Sequence, residues 1–187
     1  NKLTSSWCDS NYFNKGSNWL CAQEVSIRLI HTLQAWNLLQ DLALPINCIS
    51  AEQEEFIAMH LERISLTTFY AKAQQNNHWT SEAAALFIGG SILSIKGSKF
   101  KNDGYKWSRK GKLSLEKNLN NLIMNDGSFS QNSTNYHRLF LDTINQVEIW
   151  RRRLKIPRFS KNFLKKCRLA TLWFENFIDL ENGDVPN

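Results

Sequence analysis

Residues 80–95, TSEAAALFIGGSILSI, decide the fold class of this chain. They are apolar on nearly every side, and a run of this length predicts a helix rather than a strand, although Gly89 and Gly90 interrupt it. A helix that is apolar all round is buried. A membrane span needs about 20 consecutive apolar residues, which this chain does not contain. We therefore predict a helix buried between layers of other helices, and no membrane span.

Apolar spacing and helix punctuation predict five further helices around this one. Ser50 with Gln53 three residues later matches a capping box, and Pro45 is expected to end the helix before it. The five predicted helices cover residues 19–44, 51–75, 107–124, 133–154 and 160–180, with a basic loop at 96–105. Strand-like alternation is absent apart from short ambiguous pieces. The prediction is a single all-α domain over residues 1–187, built from antiparallel helix pairs.

The positive charge of the chain favours some classes of binding partner over others. Its net charge is +6, from 23 Lys and Arg against 17 Asp and Glu, and its pI is near 9.2. The basic residues fall into two clusters, one within residues 96–112 and one within 151–168. Such a surface favours a polyanion, namely nucleic acid, anionic lipid or an acidic polysaccharide. A solvated basic face that keeps the protein in solution explains the same pattern, so charge alone leaves both interpretations open.

The cysteines indicate no metal centre. Cys8, Cys21, Cys48 and Cys167 have neither C-x-x-C spacing nor an accompanying histidine pattern, so we predict no zinc site and no cofactor in this chain. Free core thiols are one interpretation, and a bridge between Cys8 and Cys21 in an exported protein is the other. No signal peptide is visible from Asn1 onward.

Three polar and aromatic segments each precede a predicted helix, and they supply the candidate site residues. The second segment contains Asn77, His78 and Trp79, and the third ends with Tyr136 and His137. The first segment contributes Trp19, Gln23, Glu24 and Arg28. Because the segments precede alternate helices, we expect them to gather at one edge of a layered helical fold.

Each segment also has an ordinary structural interpretation. Glu24 and Arg28 are four residues apart and are expected to pair on one helix face. Asn77 is suited to cap the helix that follows it. Tyr136 fits a buried tyrosine with a satisfied hydroxyl, and His137 fits a surface histidine. Taken one segment at a time, these interpretations are favoured over functional ones.

Taken together, the three segments match the ordered motifs of a known protein family. They fit the patterns G-x-x-W-x-x-x-x-E-x-x-x-R from Gly16, N-N-H from Asn76 and D-G-S-F-x-Q-x-S-x-x-Y-H from Asp126. This ordered set resembles the heparinase II/III-like polysaccharide lyases, including relatives that act on alginate oligomers, over residues 19–186. The resemblance implies a partial (α/α) toroid, followed in full-length members by an antiparallel β-sandwich that is absent from this chain. Residues 182–186 look like the start of the linker between them.

The resemblance also implies a chemistry, β-elimination at C4 of a uronic acid. Asn77 would neutralise the carboxylate next to C5 and stabilise the charge that develops there, with His78 assisting it or acting as the base. Tyr136 would carry protons, giving one to the leaving O4, with abstraction of the C5 proton as a second possible role. From its position about one turn into the helix, Glu82 is suited either to orient His78 or to interact with the positive end of the helix dipole. The residues implied to contact substrate are Trp19 as a sugar platform, Gln23, Glu24, Arg28 near a carboxylate, Trp79 and His137. Family enzymes also use a histidine or tyrosine from beyond this segment, whereas His31 and His60 fit ordinary helical faces.

The expected partner is an acidic polysaccharide, and the expected location is the bacterial periplasm or the medium, with the cytoplasm as the alternative. A second hypothesis is a non-catalytic relative that binds glycan or serves surface-polysaccharide metabolism. A third is a helical nucleic-acid-binding module, suggested by residues 151–153. It is disfavoured because the chain has no docking motif and its aromatic residues are not interleaved with the basic runs. The sequence leaves open which glycan is cut, the oligomeric state and whether a structural metal lies outside this chain.

Overall fold

A computed structural model describes residues 2–39, 49–95 and 97–186, and within these ranges the regular structure is helical. The helices are α1 (Lys2–Ser10), α2 (Ala22–Leu38), α3 (Ala51–Gln74), α4 (Asn77–Leu93), α5 (Lys101–Leu122), α6 (Thr134–Arg153) and α7 (Lys161–Glu175). A short 3-10 turn, Ser17–Trp19, precedes α2, and an isolated bridge between Ile123 and Phe129 closes the loop before α6. The all-α prediction is confirmed; the toroidal arrangement stays a prediction.

Helix α4 is the core of the fold, as its apolar sequence predicted. Every residue of α4 except His78 is buried, and the helix packs against α2, α3, α5 and α6. It begins at Asn77, because the side chain of Asn76 accepts a hydrogen bond from the backbone N–H of His78 at 3.0 Å. The predicted caps at Thr80 or Ser81, and the alternative cap at Asn77, are therefore wrong.

Glycines bring the backbones of α4 and α5 into contact. A Cβ on Gly111 would lie 2.3 Å from the backbone nitrogen of Phe87, and one on Gly90 would lie 2.4 Å from that of Ser108. The hydroxyls of Ser91 and Ser108 are 2.7 Å apart in the same interface. Gly90, which seemed to interrupt the apolar run of α4, thus permits the backbone of α5 to approach closely.

Hydrogen bonds and shared surfaces give the directions of α5 and α6. Asn118 of α5 donates to Thr80 at the start of α4, whereas Ser108 contacts Ser91 near its end, so α5 runs antiparallel to α4. Arg153, the last residue of α6, lines the same cavity as Ser91. Helix α6 therefore runs parallel to α4, and both begin at the same end of the bundle.

Helices α2 and α3 follow the same alternation. Arg28 of α2 contacts His60 of α3, and Trp36 contacts Phe56, so the two helices are antiparallel. Only residues 75–76 separate α3 from α4, and a connection this short makes them antiparallel neighbours. Helix α2 consequently begins at the same end as α4 and α6.

The structure corrects several predicted boundaries. Helix α1 was not predicted, α5 begins at Lys101 inside the predicted basic loop, and the last helix ends at Glu175 rather than at residue 180. Pro45 and Cys48 lie outside the described residues. The other three cysteines, Cys8, Cys21 and Cys167, are free thiols, so the bridge between Cys8 and Cys21 is not formed. In the part of the chain that the structure describes, no helix is long and apolar enough to cross a membrane.

Candidate functional site

The first turn of α4 presents an amide and an imidazole without hydrogen-bonding partners. Asn77 is 6% exposed, and neither its side-chain amide nor the ring of His78 makes a hydrogen bond within the described residues. Burial lowers the pKa of His78, so the ring is neutral near pH 7 and keeps one nitrogen as an acceptor. The positive end of the α4 dipole adds to the attraction for an anion at this position.

Glu82 lies one turn further along α4 and is 3% exposed. Burial raises the pKa of its carboxyl to about 8, and Arg63 and Lys110 oppose part of that shift. Its Oε2 has no hydrogen-bond partner, and no hydrogen bond joins it to His78 in the described chain. The prediction that Glu82 orients His78 therefore finds no support in this arrangement.

Tyr136 occupies the first turn of α6 and faces solvent. The side chain of Ser133 caps this helix by accepting from the backbone N–H of Tyr136 at 3.3 Å. The tyrosine is 46% exposed, so the alternative interpretation as a buried tyrosine with a satisfied hydroxyl is wrong. Asp126 shapes the preceding loop, since its carboxylate accepts from both the backbone N–H and the hydroxyl of Ser128.

His137 lies beneath Tyr136 in the core, so the interpretation as a surface histidine is wrong. Its ring is fully buried and stacks on Trp173 with 5.0 Å between ring centroids and 16° between planes. Burial lowers the pKa of His137, and the carbonyl of Ala170 opposes part of that shift, although neither ring nitrogen reaches a partner at hydrogen-bonding geometry. Such a residue supports the helix that carries Tyr136 and has no surface with which to touch a glycan.

Trp19 is enclosed in an aromatic cluster. It is 2% exposed, and its ring is covered by Trp7, Phe13 and His60, with centroids 5.7, 5.3 and 4.9 Å away. Helix α1 supplies Trp7, which sequence reasoning missed. This arrangement gives Trp19 no open face for a sugar. Its role in the structure is packing.

Arg28 is engaged within the protein rather than with Glu24. The ion pairs of the described chain do not include these two residues. The Arg28 guanidinium donates to the carbonyl of Asn18 at 2.9 Å and lies 4.4 Å above the ring of Trp7. Gln23 is half-buried and Glu24 exposed at the start of α2, while Trp79 is 3% exposed.

The structure gathers the three segments at one end of the bundle, because α2, α4 and α6 all begin there. Within the described residues, however, no hydrogen bond or ring contact joins Tyr136 to Asn77 or His78. The amide of Asn118 donates to Thr80 at 2.9 Å in this region, and its Oδ1 has no partner. No group of three or more His, Cys, Asp or Glu residues in the described chain is arranged to hold a metal ion.

Comparison with known families gives one match of nearly full length. The family model described as Heparinase II/III N-terminus matches residues 6–177. The match begins within α1 and ends just after α7, so it includes all three polar segments. Comparisons with curated proteins and with solved structures gave no significant match.

Proposed function

Because this chain belongs to the heparinase II/III N-terminus family, we propose that it carries part of the active site of a lyase that cleaves an acidic polysaccharide by β-elimination. The observation that carries the proposal is the unpartnered amide of Asn77 at the N-terminal end of a buried helix. This amide makes no hydrogen bond within the described residues and is not among the polar atoms shut off from solvent, so its N–H is free to donate to a ligand carboxylate.

The difficult step in this reaction is removal of the C5 proton of a uronate. The negative carboxylate beside C5 opposes the charge that develops when the proton leaves. The amide N–H of Asn77 and the positive end of the α4 dipole would hold this carboxylate and stabilise the developing charge. Their effect is strengthened by burial, since low local polarity increases electrostatic interactions.

Two further side chains would move the protons. Neutral His78 is the candidate base, because one of its ring nitrogens has a free lone pair to accept the C5 proton. The electron pair of the C5–H bond then forms the C4–C5 double bond while the C4–O4 bond breaks. The exposed hydroxyl of Tyr136 would give its proton to the leaving O4.

A non-catalytic glycan-binding relative is the second candidate. No hydrogen bond or ring contact joins Tyr136 to Asn77 or His78 in the described chain, and this favours the second candidate, because Asn77 and His78 without a proton donor can bind a uronate without processing it. Both candidates take an acidic polysaccharide as partner. Both also fit a periplasmic or secreted protein of a bacterium, which we propose as the location.

Activity of the full-length gene product on a panel of uronate polymers separates the two candidates. The unsaturated uronate formed by β-elimination absorbs in the ultraviolet and is measured directly. We expect product with at least one polymer, and a loss of kcat of about 10²-fold or more in Tyr136→Phe, the range for removal of an acid–base group. Tyr70→Phe, on the exposed face of α3, is the matched control. Binding without product on every polymer, or a Tyr136→Phe variant as active as the parent, would overturn the lyase proposal.

A further inference from the structure

A cavity lies at the opposite end of the bundle from Asn77. It has a volume of about 840 Å³ and opens between the end of α4, the first half of α5 and the loop after α6. Ser91 in its wall and Asn77 lie at opposite ends of α4, about 21 Å apart at a rise of about 1.5 Å per residue. The cavity is therefore separate from the site proposed above.

The cavity is lined by positive charge. Arg109, Lys112, Arg153 and Lys155 line it, and none of the described residues in its wall is acidic. None of the four takes part in an ion pair within the described chain. Within the described residues no ion pair offsets these four charges, which favours an anionic ligand.

The guanidinium of Arg153 has no hydrogen-bond partner within the described residues. Its Nε atom is buried and has no hydrogen-bond partner in the described chain. A buried, unsatisfied donor costs about 1–3 kcal/mol, and more for a charged group, so such groups call for an explanation. An oxygen atom in the cavity does not reach Nε itself, but the terminal nitrogens of the Arg153 guanidinium make no hydrogen bond in the described chain, and this planar group is suited to bind an anionic oxygen there.

The helix dipoles account for the position of only some of the basic residues that line the cavity. Arg153 lies in the last turn of α6, where a cation is stabilised by the partial negative charge of the helix end. Arg109 and Lys112, however, lie in the interior of α5, where the dipole effect is absent. The neighbouring Arg151 and Arg152 both pair with Glu148, at 2.6 and 2.7 Å, and this single carboxylate compensates one of their two charges.

The wall formed by residues 154–157 is held in place by Arg151. This side chain is 8% exposed and donates from Nη1 to the carbonyl of Ile156 at 2.5 Å. Lys155 adopts the left-handed conformation, with φ of 54°. The exposed ring of Tyr105 lines the cavity as well and is available to stack against a sugar ring.

We propose that this cavity is a second glycan-binding site, which takes an acidic saccharide unit carrying a carboxylate or a sulfate group. Its volume lies within the range of about 300–1,000 Å³ typical of small-molecule sites. The positive charge and the unpartnered guanidinium specify the anion, and the choice of a saccharide rests on the proposed function. A polymer bound here and at the Asn77 end would be held at two points of one molecule.

Titration calorimetry on the full-length gene product tests the site. The probes are an acidic tetrasaccharide cut from a uronate polymer, a neutral oligosaccharide of equal length, and inorganic sulfate. The test variant is Lys112→Met with Arg153→Met, and the control is Lys165→Met with Arg168→Met, which removes equal charge from the exposed side of α7. The test variant loses two charge-assisted contacts, so its dissociation constant for the acidic tetrasaccharide is expected to rise by about tenfold or more. In the control variant the same constant is expected to rise by about twofold or less.

The outcomes separate this proposal from the proposed function. Unchanged binding in the test variant overturns the second site, whatever the lyase assay gives. Inorganic sulfate that binds as tightly as the tetrasaccharide overturns the saccharide assignment and leaves a simple anion site. Weakened binding in a protein that makes no unsaturated product supports the second site while the lyase proposal fails. Arg109→Met, at an exposed position of α5, repeats the test if the double variant does not fold.

Discussion

Arg28 donates a hydrogen bond from its Nε to Nε2 of His60 over 3.1 Å, so this ring nitrogen is the acceptor of the pair. Nδ1 of His60 lies 2.7 Å from the carbonyl of Phe56 and therefore carries the single ring proton. Burial is the main cause that lowers the pKa of His60 to about 3, the carbonyl of Phe56 opposes it, and the Arg28 cation lowers it further. The aromatic cluster that joins α1, α2 and α3 is thus built around an imidazole that does not accept a second proton.

The His60 arrangement predicts a loss of stability in acid. The unfolded chain takes up a proton on this residue below its ordinary pKa of 6.5, whereas the folded chain does so only near 3. The stabilising contribution is therefore complete above pH 6.5 and is lost as pH falls toward 3, by about 1.4 kcal/mol per pH unit at most. In His60→Gln, urea unfolding is expected to depend less steeply on pH between 6.5 and 3. His31→Gln, at an exposed position of α2, should keep the parent slope. Equal slopes in His60→Gln and the parent would contradict this assignment.

Glu82 predicts the opposite trend at higher pH. Burial raises its folded pKa from 4.5 to about 8, so the folded chain holds a proton that the unfolded chain has released between these values. Stability is then lost as pH rises from about 4.5 to 8, again by about 1.4 kcal/mol per unit as an upper bound. Between 4.5 and 6.5 this loss offsets the His60 gain, so these two groups place the stability maximum in that interval.

Glu82→Gln isolates the second trend because the amide keeps the size of the side chain and does not titrate. The variant is expected to match the parent near pH 5 and to exceed it in unfolding free energy at pH 8. Glu62→Gln, an exposed position on α3, is the control and should leave the pH profile unchanged. A variant whose advantage over the parent does not grow with pH would show that the folded carboxyl has an ordinary pKa.

The close contact between α4 and α5 predicts that Gly111→Ala destabilises the fold more than Gly89→Ala does. A methyl group at Gly111 would meet the backbone of α4, 2.3 Å from the nitrogen of Phe87 and 2.7 Å from the carbonyl oxygen of Ala83. At Gly89 it would meet only side-chain carbons of Leu61 and Ile57, at 3.1 and 3.2 Å. Gly111→Ala is therefore expected to destabilise by about 1–3 kcal/mol or more, the usual cost of overpacking. Gly89→Ala should cost clearly less, since side chains adjust and alanine favours the helix. Thermal unfolding of both variants checks the order.

The sequence predicted those features whose causes are local. The burial of α4 follows from its own composition, and the capping box of Ser50 and Gln53 forms as predicted, with hydrogen bonds of 3.2 and 3.0 Å. Helix α1 was missed because it buries no residue fully, and Trp7 is held by contacts with residues of other elements, among them Trp19, Phe56 and His60.

The candidate site shows the same limit. The order of the three segments and the directions of the helices follow from the chain, so their shared end of the bundle was predictable. The burial of His137 was not, because the ring that covers it, Trp173, belongs to α7. The start of α4 was placed too late because Asn76, Thr80 and Ser81 are all suitable N-caps, and local sequence does not choose between them.

Adjacent asparagines at the start of α4 allow structure and chemistry to be separated. Asn76 supplies the cap, so Asn76→Ala is expected to lower the unfolding free energy by about 1 kcal/mol and to leave turnover nearly unchanged. The Asn77 side chain makes no hydrogen bond within the described residues, so Asn77→Ala should cost less stability. It should nevertheless reduce kcat by about 10²–10³-fold, as removal of one donor from a preorganised anion site does. Unfolding and turnover measured on both variants decide the matter: equal losses of kcat would mean that a displaced helix start, and not the amide of Asn77, limits the reaction.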